Sequence, residues 1–560
     1  MPVDETPDTS RPGDGWATIQ TPVIALVVML ISVIAPLERL LSSGWISDDT
    51  SWQVALRTWR PGGGEWVLTE NTYILHWPLF VISNALLPSN RWTILILAVI
   101  LQAVGLWLIV SFARHAIAEA VERLVSGLRW WHDLLAVGVC GAYQVADQIM
   151  RVSNAGVTTR NLEVGLYLLA IRLGFEVVVG DRQVGTIGRH SVVAGGVALL
   201  SLNDPLFAYT IVVPFIGLIV LAFVVRWAPR RTDSHGGGAE SADVRWRAAY
   251  SLASSAGAGL LIWQAAHAAL PFVGITQRPA STRLSDLGAV PGHARVVLGG
   301  LGQMAGRRLI SDASILVQVI GVILFVVAMA SVVAVLVRPL ARRSGSRSSW
   351  LAIISLGWLA IVATTYMITT SGASLAEFRY VAVAFPSVGV AVAVSVSSLP
   401  RAANYGFVIV AVAAIGGAGT LAIARDADDG ELLMPETSDI LDDLAANGYD
   451  RGYSGYWTSS ILTYLSDAPV LPVVCSDVGL TVPYEWLVDM GQFDDALDRP
   501  GDRSFIVVDR RAALSLTCPD ELLIEQHGRP VDVLLVRNDI EVWLYDDRDV
   551  VADITRAWAR

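Results

Sequence analysis

From Trp92 to Ala113 the chain carries no charged side chain, and blocks of this kind recur along most of its length. A helix needs about 20 apolar residues to cross the hydrocarbon core of a bilayer. Lipid offers backbone N–H and C=O groups no water to bond with, so such a run is restricted to helix. The blocks lie near 21–41, 92–113, 132–149, 161–179, 190–203, 206–226, 248–270, 314–337, 350–369, 379–397 and 405–424. They predict a polytopic α-helical membrane protein with about eleven transmembrane helices. Composition agrees: 53% of the 560 residues are hydrophobic and 16% are charged, against roughly a quarter charged in a soluble domain.

The spaces between the blocks set the organisation. Residues 1–20 are polar, with Pro and Gly, and read as a disordered cytoplasmic tail. The first block, Thr21–Leu41, has no basic segment before it and a poor cleavage site after it, so it reads as an uncleaved helix within a transmembrane region spanning 21–424. Between Ser191 and Trp227 the apolar run is broken by Asn203-Asp204-Pro205. An Asn or Asp cap followed by Pro marks a helix start, which predicts a short helix and then a full one; a single long helix is the alternative.

All basic residues are Arg. With the N-terminus in the cytoplasm, more of them fall in the inner loops, among them Arg226, Arg230, Arg231, Arg338, Arg342 and Arg343, than in the outer ones. That bias sets the orientation. Two long outer loops, 42–91 and 271–313, follow from it, and an odd number of crossings leaves the C-terminal region extracytoplasmic.

The segment 425–560 reads as a soluble α/β domain. Thr437–Asn447 has a helical pattern ending at Gly448. Tyr453–Trp457, Leu471–Cys475, Phe505–Asp509, Val531–Val536 and Val542–Tyr545 read as strands, with a helix at Thr458–Leu465. Strands alternating with helices suggest a partly parallel sheet. Cys475 and Cys518 both lie here; an oxidising compartment would allow a disulfide adding about 3–4 kcal/mol, and two unpaired thiols are the other reading.

The net charge of −11 is concentrated in the acidic tail, and no basic patch interleaved with aromatics suggests nucleic acid. The inner loops are short and carry no phosphate-binding Gly-rich signature. Chemistry is therefore expected in the outer loops. The first opens with Asp48-Asp49, an acidic pair able to serve as general base and as an orienting or metal ligand; a solvated helix cap is the bland alternative. Glu70-Asn71 and His76-Trp77-Pro78-Leu79 follow in the same loop. Thr159-Arg160-Asn161-Leu162-Glu163, Ser201-Leu202-Asn203-Asp204-Pro205-Leu206-Phe207 and Glu377-Phe378-Arg379-Tyr380 all fall at outer helix ends or turns.

In order and in sidedness these segments resemble bacterial, actinobacterial-type GT-C glycosyltransferases, although Trp77 stands where that superfamily has the first Pro of its His-Pro-Pro-Leu segment. Gly455-Tyr456-Trp457-Thr458 resembles segments of related membrane proteins. The resemblance implies transfer of a sugar from a polyprenyl-phosphate donor to a glycan or lipid-linked cell-envelope acceptor at the outer face of the plasma membrane. It implies Asp48 or Asp49 as base and Arg379, Arg160 and Arg278 as donor-phosphate ligands, since a guanidinium binds phosphate oxygens bidentately. Glu70, His76, Glu163, Asp204 and Tyr380 are further candidates. A divalent metal held by an acid is an allowed supplement that nothing requires.

Other readings stand beside these. Arg379 is equally a helix anchor. Arg160 and Glu163 are spaced for an i,i+3 pair. His76 suits a packed interfacial position, and Asn203-Asp204 a cap. Trp45, Trp52, Trp59, Trp66 and Trp77 suit a membrane-interface belt. A transporter or flippase, and a non-catalytic envelope-binding scaffold, are the alternatives from other classes; the absence of a clear internal repeat argues against the first.

Overall fold

The computed structural model describes residues 66–121, 157–208, 238–305, 315–397 and 433–558, apart from short stretches of which 69–73, 180–186, 278–283, 371–380 and 511–517 are the longest, together with a few residues elsewhere. The expected spans at 132–149 and 405–424, and most of those at 21–41 and 206–226, lie outside the described residues.

The first part of the chain runs through β1 (Trp66–Leu68), α1 (Trp77–Leu86), α2 (Arg91–Val121), α3 (Val157–Val179), α4 (Ile187–Asn203), α5 (Gly238–Ala269), β2 (Ile275–Gln277), α6 (Val290–Met304), α7 (Ile315–Arg342), α8 (Arg347–Met367) and α9 (Pro386–Ser397). Among the described residues, three stretches are long and apolar enough to cross a membrane: Trp92–Ile117, Ala253–Val273 and Trp350–Met367, with mean hydropathies of 2.7, 1.3 and 1.7. Apolar stretches of α1, α4, α7 and α9 are shorter.

Local chemistry explains the helix boundaries. Asn90 caps α2, its side-chain oxygen accepting from Trp92 N at 3.0 Å and Thr93 N at 3.1 Å. Helix α4 stops at Asn203, Asp204 is not helical, and Pro205 begins a new turn, so the chain breaks where the Asn-Asp-Pro signal predicts. Where α2 meets α3, a Cβ on Gly165 would sit 2.6 Å from Leu108 Cβ. Only glycine allows that approach, the small-residue contact that membrane helices use in place of a hydrophobic driving force. Helix α9 is enclosed by its neighbours: every residue from Ser387 to Ser397 is buried.

The C-terminal region contains α10 (Leu433–Ala446), β3 (Arg451–Gly455), α11 (Tyr456–Leu465), β4 (Val470–Cys475), β5 (Thr481–Pro483), β6 (Val488–Asp489), α12 (Gly491–Asp498), β7 (Arg503–Asp509), α13 (Asp520–His527), β8 (Asp532–Arg537), β9 (Ile540–Asp546) and α14 (Val550–Trp558). Six of its strands form a sheet in the order β5-β4-β3-β7-β9-β8. The β4-β3-β7 centre is parallel and the flanks are antiparallel. Alternation feeds two cores. Phe505, Val507, Val542 and Leu544 join the cluster with Leu441 and Leu462. Ile506, Val508, Trp543 and Tyr545 join the cluster with Phe493, Val551 and Ile554. The expected strand Tyr453–Trp457 ends earlier, at Gly455, and Tyr456 already opens α11. Cys475 and Cys518 are disulfide-bonded, with Cα atoms 4.7 Å apart.

A second, three-stranded sheet joins the two parts. Strand β1 lies in the middle, parallel to β2 and antiparallel to β6. It therefore combines a strand of the first long loop, a strand at the start of the second, and a strand of the C-terminal region. Successive side chains of a strand point to opposite faces, and β1 uses both. Trp66 and Leu68 are buried with Phe80, Leu97, Leu101 and Ile275, whereas Val67 packs on the C-terminal core.

Candidate functional site

The first long loop is tied to the helix bundle through His76 and its neighbours. His76 is the N-cap residue of α1, with Pro78 in the first turn, and its side chain is completely buried. Its ring stacks on Phe80 with centroids 6.1 Å apart. One residue earlier, the Leu75 backbone N–H donates to Asn203 Oδ1 at 3.0 Å. The Asn203 Nδ2 donates to Glu163 Oε1. Glu163 and Asn203 are fully buried, and Asp204 beside them is 3% exposed. A carboxylate removed from water is costly unless donors meet it, and the Asn203 amide supplies one.

Three of the expected site residues are thereby brought to one end of the bundle: Glu163 in the first turns of α3, Asp204 at the end of α4, and His76 at the start of α1. Arg160 belongs to α3, one turn before Glu163. Asn203, expected as a cap, is the connector. Asp48, Asp49, Glu70, Arg278, Arg379 and Tyr380 lie outside the described residues.

Close in sequence to Glu163 and Asp204 stands an aromatic cluster. Tyr167, one turn after Glu163, meets Trp358 of α8 with ring centroids 4.2 Å apart and Phe207 at 5.8 Å. All three rings are at most 1% exposed. Phe207 belongs to the Asp204-Pro205-Leu206-Phe207 segment, whereas Tyr167 and Trp358 carry no signal in the sequence beyond the i,i+4 spacing that puts Glu163 and Tyr167 on one face of α3.

A further contact ties the C-terminal region to the same end. The Arg57 guanidinium lies over the Tyr464 ring of α11 at 4.8 Å, and its Nε donates to Asn84 Oδ1 at 3.2 Å. Together with β1–β6 pairing, this holds the C-terminal region over the loop that contains His76.

Among the described residues no group of three or more His, Cys, Asp or Glu side chains is arranged to hold a metal ion. A groove of about 580 Å³ runs along α7, lined by Phe325, Val326, Met329, Val333 and Val337. Every lining residue belongs to that one helix, so the groove is a wholly apolar helix face separate from the polar cluster.

No family model and no curated protein matches the chain. Among solved structures, ArnT from Cupriavidus metallidurans bound to undecaprenyl phosphate aligns over 96% of this chain and 99% of its own, with a TM-score of 0.52 and 12% identity. The two chains share a fold. ArnT in the apo state aligns over the same shares with a TM-score of 0.50 and 12% identity. The alignment with ArnT takes in both the helical region and the C-terminal sheets. The chain is thus a multi-span membrane protein with a C-terminal sheet region, built on the same plan as ArnT.

Proposed function

We propose that this protein transfers a sugar from a polyprenyl-phosphate donor to a cell-envelope acceptor at the outer face of the plasma membrane, as a GT-C-type glycosyltransferase. The observation that carries the reading is the convergence of both long loops and the C-terminal region at one end of the bundle. The shared sheet β2-β1-β6 and the Leu75–Asn203–Glu163 chain make that convergence. The likeness of the whole chain to a protein solved with undecaprenyl phosphate bound supports the donor class. The common sheet also supports an orientation that puts both loops and the C-terminal region on the same side of the membrane, and the Arg bias of the loops favours the outer side, with the N-terminus cytoplasmic.

In this reading Asp48 or Asp49 takes the proton from an acceptor hydroxyl as its oxygen attacks the anomeric carbon. The bond from that carbon to the phosphate oxygen breaks, and the polyprenyl phosphate leaves. Arg379, Arg160 and Arg278 neutralise the leaving phosphate. Glu70 and Tyr380 complete the loop side of the site. His76, Glu163 and Asp204 form its buried frame.

The test uses the full chain in detergent or vesicles. Undecaprenyl phosphate should raise its melting temperature, and a panel of polyprenyl-phosphate sugars should yield labelled product with envelope lipid or glycan acceptors. Asp48→Asn and Asp49→Asn are the key variants. Full transfer by both removes the assigned base; no stabilisation by undecaprenyl phosphate removes the donor class.

A further inference from the structure

The segment from Leu284 to Met304 is fastened to the last turn of a membrane-crossing helix. Leu284 forms a bridge with Thr369, and Ser285 N–H donates to Ile368 O at 2.9 Å. The His293 Nδ1 lies 3.0 Å from Met367 O, bonding a terminal carbonyl of α8 as a C-terminal side-chain cap does. Met367 closes the apolar stretch Trp350–Met367. Residues hydrogen-bonded to it therefore stand at the level where hydrocarbon gives way to headgroups.

At that level the segment exposes large apolar side chains. Leu284 is 78% exposed, Leu287 87% and Leu298 66%. Helix α6 is two-sided. His293, Val297 and Gly300 are buried, and α6 packs on α8. Pro291, Arg295 and Leu298 lie on the open side. An apolar stripe with an Arg beside it is what a helix lying in the membrane interface presents, the guanidinium reaching lipid phosphates while the leucines enter the acyl boundary. Asp286 is also exposed and sits at the turn before α6, where it faces headgroups and water.

We propose that Leu284–Met304 is an interfacial element whose open face, formed by Leu284, Leu287, Arg295 and Leu298, inserts into the bilayer leaflet at the C-terminal end of α8. Its partner is the lipid surface itself. The inference is independent of the glycosyl-transfer reading, because it rests on anchorage and exposure alone.

Spin labels at Leu287→Cys and Leu298→Cys, in a full chain carrying Cys140→Ala and retaining its disulfide, test this. The protein is reconstituted in phosphatidylcholine–phosphatidylglycerol vesicles. Oxygen partitions into lipid and a nickel chelate stays in water. Both labels should collide with oxygen several-fold more than with the chelate, relative to a free label in buffer. A ratio equal to that of the free label would overturn the proposal by leaving the face in water. Protection from both reagents would overturn it too, by revealing a protein contact in place of lipid.

Discussion

The side chain of Asn203 is bonded in two directions, its amide donating to Glu163 on α3 and its carbonyl oxygen accepting from Leu75 N–H at 3.0 Å. Neither end is replaceable by an apolar side chain. Asn203→Leu should destabilise the protein by about 2–3 kcal/mol, the loss expected for a buried bond to a charged group and a stranded backbone donor. Tryptophan fluorescence melts in detergent read this out; a melting temperature unchanged from the parent would show that the chain from loop to bundle bears no load.

Val67 packs its side chain on the C-terminal core, whereas the side chains of Trp66 and Leu68 are buried in the cluster with Phe80 and Leu97. Val67→Asp should place a charge against the C-terminal core at a cost of roughly 2 kcal/mol or more. Limited proteolysis should then cut faster in the C-terminal region, with the helical region still intact on gels. Equal cleavage rates in variant and parent would contradict a docking role for β1.

The Cys475–Cys518 bridge spans a sequence separation of 43. Loop closure of that length is worth about 4 kcal/mol. The double variant Cys475→Ser/Cys518→Ser should lower the unfolding transition of the C-terminal region correspondingly, and reducing agent should do the same to the parent. A parent insensitive to reductant while unfolded would exclude the bridge.

Acid sensitivity should centre on His527. The residue is buried, its Nδ1 lies 3.7 Å from Asp553 Oδ2, and its ring neighbours Tyr453 and Tyr545; Arg548 also faces it. Burial pulls the imidazole below its usual 6.5 even though Asp553 opposes it. A separation of 3.7 Å is long for a hydrogen bond, so burial decides the sign. The unfolded chain therefore takes up a proton that the folded one refuses, and stability falls as pH drops below about 6.5. Asp553 is held below the usual carboxylate range by the nearby His527 ring, with the Arg548 and Arg556 guanidinium groups adding to it. Its contribution is lost at more acid pH, as pH falls through that depressed value. Chemical denaturation between pH 7 and 5 should show the first loss, and His527→Leu should flatten it. An equal slope in the variant would assign the effect elsewhere.

Much of this fold is legible because lipid and short buried strands are blunt selectors. The uncharged run Trp92–Ala113 has little choice but helix, and Phe505–Asp509 and Val542–Tyr545 are short, continuous runs rich in β-branched and aromatic residues, as strands buried on both faces are. The Asn203-Asp204-Pro205 stop works through local capping. The strand expected over Tyr453–Trp457 stops short at Gly455: Tyr456 and Trp457 favour strands intrinsically, yet the chain turns into a helix after Gly455. Strands β1, β2 and β6 are too short to show any period, and each is defined by a partner distant in sequence. The link from Leu75 through Asn203 to Glu163 is invisible for the same reason: it joins three elements whose proximity exists only after folding. Capping was the local meaning of Asn203; the tertiary meaning required the loop to arrive.

The order of synthesis gives the middle position of Trp66 in its sheet a temporal meaning. Trp66 emerges early, Ile275 joins it about midway through translation, and Asp489 comes only near the end. The first loop must therefore wait, one edge of β1 unpaired, while the helices around it enter the bilayer. Nascent chains halted before Val488 should insert normally yet leave that edge open, so a ribosome stalled late in the message would yield a membrane-integrated but unfastened molecule.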